Sequence, residues 1–194
     1  MNSPATPATF PLQSWAHRSG KFRVNALAPA DWSTQALSAR ARIAEVFYRF
    51  AVTYDEAQIP QLVTCFTENA SYEVAQSQAE PFVIFSGRAD ILANLPAVTR
   101  MQGDQRRHLI SNVLVEELDL AAGTASAIAY AIVAVAANGL SVGASVIYSA
   151  RLSREEDGCW RFTNLFIGMD SYAGERPLQQ DGVSGVARSV PSAP

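Results

Sequence analysis

The 194-residue sequence predicts one α+β domain, with three helices on one face of a curled, mostly antiparallel sheet of about six strands. Segments with helical periodicity come in the first half of the chain. From residue 106 to 169 the pattern changes to long β-type segments that are separated by turn signals. Helices gathered in front of a meander of long strands are typical of an α+β domain whose sheet curls.

The first helix is predicted to begin after Ser33, whose hydroxyl suits an N-cap, and to run to about Tyr54. Its apolar residues recur at three- and four-residue spacing: Leu37, Ile43, Val46, Phe47, Phe50, Ala51 and Tyr54. Pro60 fits the first turn of a second, short helix. A third helix is expected over 88–101, and Pro96 should kink or end it.

Short strands are predicted at 70–75 and 82–85, ahead of four long antiparallel strands. The turn signals between the long strands are Ala121-Ala122-Gly123, Asn138-Gly139 and Asp157-Gly158. In the second long strand, four alanines alternate with larger residues: Ala125, Ala127, Ala129 and Ala131. One face of that strand is therefore nearly all methyl groups, which lets a helix lie close to it.

The domain itself is expected to span residues 33–172. Residues 1–32 and 173–194 are rich in small residues, Pro and Gln and lack either structural period, so we interpret them as an N-terminal extension and a flexible C-terminal tail. The extension carries three large aromatic side chains, Trp15, Phe22 and Trp32. It is therefore expected to be either partly disordered or docked on the body of the domain, where it could cover a pocket.

Composition argues against several classes of protein. A net charge of -3 gives no electrostatic footprint for nucleic acid, and no apolar run approaches the roughly 20 residues of a membrane span. The first ten residues lack the features of a secretion signal, so a cytoplasmic location is expected. Cys65 and Cys159 lie far apart among apolar or aromatic neighbours, which predicts two buried thiols and no disulfide framework.

The strongest candidate for chemistry is His108, in the first long strand. The other histidine, His17, lies in the N-terminal extension, so His108 is the candidate in the body for moving a proton near neutral pH. Strand alternation places His108 and Asn112 on one face. A hydrogen-bonded core histidine is the alternative interpretation.

Asp55 and Tyr72 are weaker candidates. Asp55 closes the first helix, where a carboxylate is set against the helix dipole. It either forms a turn or points into the domain and orients a histidine. Tyr72 either donates a phenolic hydrogen bond to a developing enolate or packs with its hydroxyl in water.

Other motifs in the sequence lack the structural context that their chemistry requires. Residues 139–143, Gly-Leu-Ser-Val-Gly, match the nucleophile-elbow pattern, but they follow a hairpin turn and no histidine lies downstream. One histidine in the body and two distant cysteines do not form a metal site at recognisable spacing, and Gly-rich phosphate loops are absent. We therefore expect no metal and no cofactor.

Taken in order, residues from about 36 to 172 resemble the SnoaL-like branch of the nuclear-transport-factor-2-like (NTF2-like) superfamily. The residues that carry this resemblance are Tyr54-Asp55, Ile59, Leu62, Phe66, Ala70, Tyr72, Gly87, Ile91, Arg107-His108, Asn112 and Gly158-Cys159-Trp160-Arg161-Phe162. Within the branch they look most like scytalone dehydratase and similar cofactor-free dehydratases. The resemblance implies a cone-shaped barrel in which the sheet and helices enclose a pocket.

The same resemblance implies roles for individual residues. His108 acts as general base and then acid, Asp55 orients it, and Tyr54 and Tyr72 polarise a substrate carbonyl. Contacts to the substrate are expected from Asn112, Tyr130, Tyr148, Phe47 and Asn164. The chain departs from scytalone dehydratase in two strands, where it lacks a second pocket histidine and a Ser and Asn, so the substrate of that enzyme is not carried over.

The function implied by the resemblance is that of a cofactor-independent lyase, isomerase or cyclase. Such an enzyme would use His-Asp acid-base chemistry on a hydrophobic cyclic or polyketide-like molecule, and would form a homo-oligomer, a dimer or trimer. Two alternatives stay open. One is a non-catalytic partner subunit, like the small subunit of ring-hydroxylating dioxygenases, and the other is a module that binds a small molecule without turnover.

Overall fold

The computed structural model describes residues 15–27, 31–76, 80–137 and 139–172. The helices are α1 (Trp15–Arg18), α2 (Thr34–Asp55), α3 (Ile59–Leu62) and α4 (Arg88–Arg100), and a 3-10 turn over Val63–Cys65 follows α3. The strands are β1 (Phe66–Gln76), β2 (Val83–Ser86), β3 (Gln105–Asp119), β4 (Thr124–Ala136), β5 (Leu140–Arg154) and β6 (Trp160–Tyr172). The predicted α+β class is confirmed, with α2, α3 and α4 accompanying the sheet.

The six strands form one curled sheet in the order β2-β1-β6-β5-β4-β3. Neighbouring strands are antiparallel except for β1 and β6, which are parallel. The edge strands β2 and β3 do not pair with each other, so the cone is curled but not closed into a barrel. Helix α4 connects these two edge strands along the chain.

Helix α2 begins and ends close to the predicted residues. The Ser33 hydroxyl accepts a hydrogen bond from the Ala36 N–H at 3.2 Å, as an N-cap does. The buried face of α2 carries seven residues, Ala36, Ala39, Ile43, Val46, Phe47, Phe50 and Ala51, whereas Leu37 is exposed. Helix α4 runs through Pro96 to Arg100 instead of ending there, because buried Leu95 and Val98 on either side hold it against the core.

The main core lies between the helices and the inner face of the sheet. Its centre is a group of aromatic rings: Phe47 and Phe162 at 5.0 Å between centroids, Phe66 and Phe162 at 5.6 Å, and Phe50 and Phe66 at 6.0 Å. The alanines of β4, from Ala125 to Ala131, are buried in the same core. The predicted methyl-rich face of β4 is therefore the inner face of the sheet.

Residues 15–27, which we call the N-terminal strap, lie on the outer face of the sheet. Strand alternation places Phe166 on that face, because the next residue, Ile167, faces inward. Phe22 packs edge-on against Phe166 at 5.6 Å, and the Trp15 Nε1–H donates to Asp170 Oδ1 at 2.6 Å. The strap thus docks on the side of the sheet opposite the interior.

Trp32, the third aromatic residue of the extension, is exposed. The remainder of the N-terminal extension, residues 1–14 and 28–30, and the predicted C-terminal tail, residues 173–194, lie outside the described residues.

Gly168 allows the strap to dock. A Cβ atom at this position would lie 2.3 Å from Trp15 Cη2, far inside van der Waals contact. We predict that Gly168→Ala displaces the Trp15 indole, shifts tryptophan emission to longer wavelength and lowers the unfolding free energy by about 1–3 kcal/mol. Gly103→Ala is the matched control, because no atom lies within 4 Å of a Cβ there. Unchanged emission and stability in Gly168→Ala would contradict this account of the strap.

Both cysteines are free thiols. The prediction that Cys65 is buried is confirmed, and the prediction that Cys159 is buried was wrong. Cys65 is buried, and burial raises the pKa of its thiol to about 11. Cys159 is exposed, because it directly follows the turn that the Gly158 N–H closes on the Glu155 carbonyl at 2.8 Å. The aromatic neighbour Trp160 lies inside β6, so apolar neighbours in sequence did not indicate burial of Cys159 itself.

Candidate active site

The inner face of the sheet, together with α2 and α4, surrounds a cavity of about 150 Å³. Its walls are mainly apolar: Phe50, Val74, Phe82, Val83, Leu95, Val98, Val133, Val135, Ala144, Val146, Ile167 and Met169. Its polar lining is Tyr54, Tyr72, Gln102, Asp104, Arg106, His108, Ser141 and Tyr148. An engineered cavity of this volume in another protein binds benzene, so there is room for at least one six-membered ring.

Asp55 and His108 form a hydrogen-bonded pair at the wall of this cavity. Asp55 ends α2 and its side chain is 5% exposed; His108 lies in β3 and its side chain is 14% exposed. One carboxylate oxygen, Oδ1, lies 2.5 Å from His108 Nδ1, and the other, Oδ2, accepts the His108 backbone N–H at 2.8 Å. The carboxylate therefore fixes both the ring and the main chain of one residue, and it points into the domain.

The Asp55 contact determines which nitrogen of His108 can act as a base. An ionised carboxylate only accepts hydrogen bonds, so a neutral imidazole in this geometry carries its proton on Nδ1. Nε2 then holds a lone pair, and none of the described residues forms a hydrogen bond to it. Because His108 lines the cavity, that lone pair is the basic site that a bound molecule can meet.

Three tyrosines supply hydroxyl groups to the same cavity. The Tyr54 ring lies edge-on to His108 at 5.2 Å, and its hydroxyl oxygen accepts the Gln102 Nε2–H at 2.7 Å. Tyr72 and Tyr148 are buried; burial first, and the neighbouring Tyr54 phenol second, raise the pKa of both. Their hydroxyls therefore stay protonated and are able to donate hydrogen bonds inside an apolar space.

Asn112 and Tyr130, predicted to contact the substrate, do not line this cavity. Asn112 adopts a positive φ of 51° in a bulge between Ser111 and Leu114, and it is exposed. The bulge breaks the strand alternation that would have placed it beside His108. Tyr130 is half exposed on the outer face of β4, because the alanines of that strand take the inner face.

Phe47 and Asn164 also lie away from the cavity. Phe47 is 1% exposed and packs against Phe162 and Tyr148, so it belongs to the core. The Asn164 amide donates to the Ser71 hydroxyl at 2.7 Å and joins β6 to β1. Of the five predicted contact residues, Tyr148 is the one that lines the cavity.

Four polar lining residues were not predicted as site residues: Gln102, Asp104, Arg106 and Ser141. Gln102 and Asp104 lie in the connection between α4 and β3, where no periodic pattern marks a direction. Arg106 could have been found, because it lies two residues before His108 and shares its strand face. Ser141 was considered only as the candidate nucleophile of the Gly-Leu-Ser-Val-Gly motif.

Within ranges 15–27, 31–76, 80–137 and 139–172, no cluster of three or more His, Cys, Asp or Glu side chains is close enough to hold a metal ion. None of the helices in these ranges is long and apolar enough to cross a membrane.

The curled six-stranded sheet, its three helices and the interior cavity define a domain of the nuclear-transport-factor-2-like class. The family model of the SnoaL-like domain matches residues 35–165, and the chain belongs to this family. No curated protein sequence matches the chain significantly.

Several solved structures share the fold. A protein of unknown function from Mycobacterium tuberculosis is 21% identical with a TM-score of 0.62, covering 84% of this chain and 88% of that one. A chain from Novosphingobium aromaticivorans, assigned as the beta subunit of an aromatic-ring-hydroxylating dioxygenase, is 18% identical with a TM-score of 0.62 over 71% and 93% of the two chains. ActVI-ORFA from Streptomyces coelicolor is 20% identical with a TM-score of 0.56 over 67% and 96%. At these identities the likeness shows the fold alone.

Proposed function

We propose that this protein is a cofactor-independent acid-base enzyme, a lyase, isomerase or cyclase, that acts on a hydrophobic cyclic or polyketide-like molecule. The observation that carries the proposal is the Asp55–His108 pair at the wall of an apolar cavity. A histidine whose Nδ1 is held by a carboxylate and whose Nε2 meets a cavity is arranged as a general base. A scytalone-dehydratase-like role for these residues belongs to the same proposal.

In the proposed reaction, His108 Nε2 removes a proton from a carbon next to a substrate carbonyl. The electron pair of the broken C–H bond moves to the carbonyl oxygen, where the hydroxyls of Tyr54, Tyr72 and Tyr148 stabilise the enolate. Asp55 stabilises the imidazolium that results. The imidazolium then returns the proton: to a departing hydroxyl group in a dehydration, to another carbon in an isomerisation, or to the new alkoxide after ring closure.

The apolar walls support this chemistry physically. Water is a competing proton donor and it screens charge, so an interior lined by Val, Leu, Ile, Met and Phe strengthens each hydrogen bond to the developing enolate. The buried tyrosines are protonated donors throughout the physiological pH range, since the pKa of Tyr72 and of Tyr148 is raised.

A second candidate function is that of a non-catalytic partner subunit. It is favoured by the similarity to the Novosphingobium chain assigned as a dioxygenase beta subunit, 93% of which is covered. Such a subunit would need neither a buried Asp–His pair nor an interior cavity, which is why the enzyme is our first proposal. Binding without turnover, a homo-oligomeric state and a cytoplasmic location remain predictions.

The test is proton exchange on model ketones. We expect the purified protein in D₂O to accelerate deuterium incorporation next to the carbonyl of 1-indanone or 1-tetralone, followed by proton NMR. EDTA should not change the rate, and Asn112→Ala, a change outside the cavity, should keep it. Exchange at the buffer rate with ketones that demonstrably bind would remove the support for an enzyme. Loss of exchange in EDTA that added metal restores would contradict the cofactor-independent mechanism.

A further inference from the structure

A second charged pair, Asp104 and Arg106, lines the same cavity. Arg106 Nε donates to Asp104 Oδ1 at 2.7 Å, and Nη2 donates to Oδ2 at 3.2 Å. The side chains are only 19% and 14% exposed for Asp104 and Arg106, respectively. Burying two charges costs desolvation free energy, and an exposed pair avoids most of that cost. A role in stability alone therefore explains poorly why Asp104 and Arg106 are buried at the cavity.

Arg106 lies two residues before His108 in β3, and both residues line the cavity. The two residues share one strand face, so their side chains are about 7 Å apart along β3. Arg106 pairs across the sheet with Val135, which pairs with exposed Ser141, whereas His108 pairs with Val133, which pairs with buried Ala144. The guanidinium and the imidazole therefore lie at different positions along one wall of the cavity, and both side chains are 14% exposed.

The charges around the cavity select the kind of ligand. In the state in which His108 is a neutral base, Arg106 is the one positive group in or directly behind the described lining, and Asp104 and Asp55 are two negative groups. An anionic ligand meets a net negative charge in a poorly screened space. A neutral ligand with an acceptor oxygen avoids that repulsion and can still accept a hydrogen bond from a guanidinium, which has five donors.

We infer that Arg106, held in place by Asp104, is a specificity-determining residue that binds a neutral acceptor oxygen of the substrate. That oxygen belongs to a ketone, ester or lactone carbonyl at the end of the molecule opposite the reacting carbon, and carboxylates of the same shape are rejected. The location of the reacting carbon rests on the proposed function. The preference for a neutral ligand does not, because it follows from the charges alone.

The test compares two ligands of nearly the same shape. 1,4-Diacetylbenzene is neutral and 4-acetylbenzoate is anionic, and both carry oxygens at the two ends of one ring. Dissociation constants are measured by NMR titration of the full-length protein, without any need for turnover. We expect the neutral ligand to bind about tenfold more tightly or better, because both ligands can accept a hydrogen bond from Arg106 but only the carboxylate is repelled by Asp104 and Asp55.

Two variants and one control separate the contributions. Arg106→Gln should weaken binding of the neutral ligand about tenfold. Asp104→Asn removes a negative charge at nearly constant shape, and should improve binding of the carboxylate about tenfold relative to the ketone. Arg107→Gln is the control, because Arg107 lies on the opposite strand face, is exposed and pairs with Glu56 at 2.9 Å. It should change neither constant.

The outcomes are decisive in either direction. Tighter binding of the carboxylate by the wild-type protein, an unchanged preference in both variants, or no binding of either compound by the folded protein would overturn the inference. If Arg106→Gln does not fold, Asp104→Asn decides alone. Selective binding without any proton exchange would contradict the proposed function and support this inference. Proton exchange without selective binding would support the proposed function and contradict this inference.

Discussion

Asp55→Asn and His108→Ala are each expected to lower turnover by about 10² to 10⁴, the range of acid-base groups that act on a moving proton. Asp55→Asn replaces the carboxylate that accepts the Nδ1–H of His108. The imidazole is then no longer held in the tautomer with Nδ1 protonated, and its protonated form loses the negative charge that stabilises it. His108→Ala removes the base itself. The rate of deuterium incorporation into 1-indanone measures both effects, and circular dichroism checks that each variant folds.

The two effects should not add. A unit that fails when either member is removed loses little more when both are gone, so the double variant should resemble the worse single variant. The loss should fall on the rate at saturation more than on ligand affinity, because the pair acts on the proton rather than on the apolar ring. If His108→Ala kept a near wild-type rate while Tyr148→Phe abolished it, the chemistry would lie on a different strand.

Phe47→Ala is expected to lower the free energy of unfolding by about 3–5 kcal/mol, the usual cost of removing a buried aromatic ring from a core. Phe47 is 1% exposed and touches the rings of Phe162 and Tyr148. The neighbouring Tyr48 is 44% exposed, so Tyr48→Ala is a matched control that should change stability by about 0.5 kcal/mol or less. Urea unfolding measures both.

This experiment also decides between two roles of Phe47. The sequence predicted that it contacts the substrate, whereas the structure places it in the core beside the cavity. Full stability in Phe47→Ala, together with loss of ketone binding, would restore the contact role and contradict the structure.

Periodic features of the chain were predictable because side-chain direction follows from the repeat of the element. The three- and four-residue spacing in α2 placed Ile43, Val46 and Phe50 on its buried face. The alternation in β4 separated its alanines from Tyr130, and it holds in the structure. The Asp55–His108 contact joins residues 53 positions apart; the position of Asp55 at the helix end left it as one of two alternatives, and the family resemblance implied it.

Features that depend on irregular backbone or on packing depth were not predictable in this way. A bulge at Asn112 reverses the direction of one side chain; Asn tolerates the positive φ of the bulge, but an Asn within a strand does not by itself locate an extra residue. Gln102 and Asp104 reach the cavity from a connection without periodicity. Apolar spacing also reports the buried face of α2 but not the depth, so it could not tell a core ring, Phe47, from a cavity ring, Phe50.

The tautomer of His108 tests the proposed site most directly, and nitrogen NMR of the imidazole measures it. The chain has two histidines, so His17→Gln leaves one ring to observe in protein labelled with ¹⁵N-histidine. If Asp55 holds His108 as described, the neutral ring carries its proton on Nδ1, and Nε2 shows the chemical shift of an unprotonated nitrogen. A neutral ring protonated on Nε2 would contradict the account, because its only lone pair would then face Asp55 instead of the cavity.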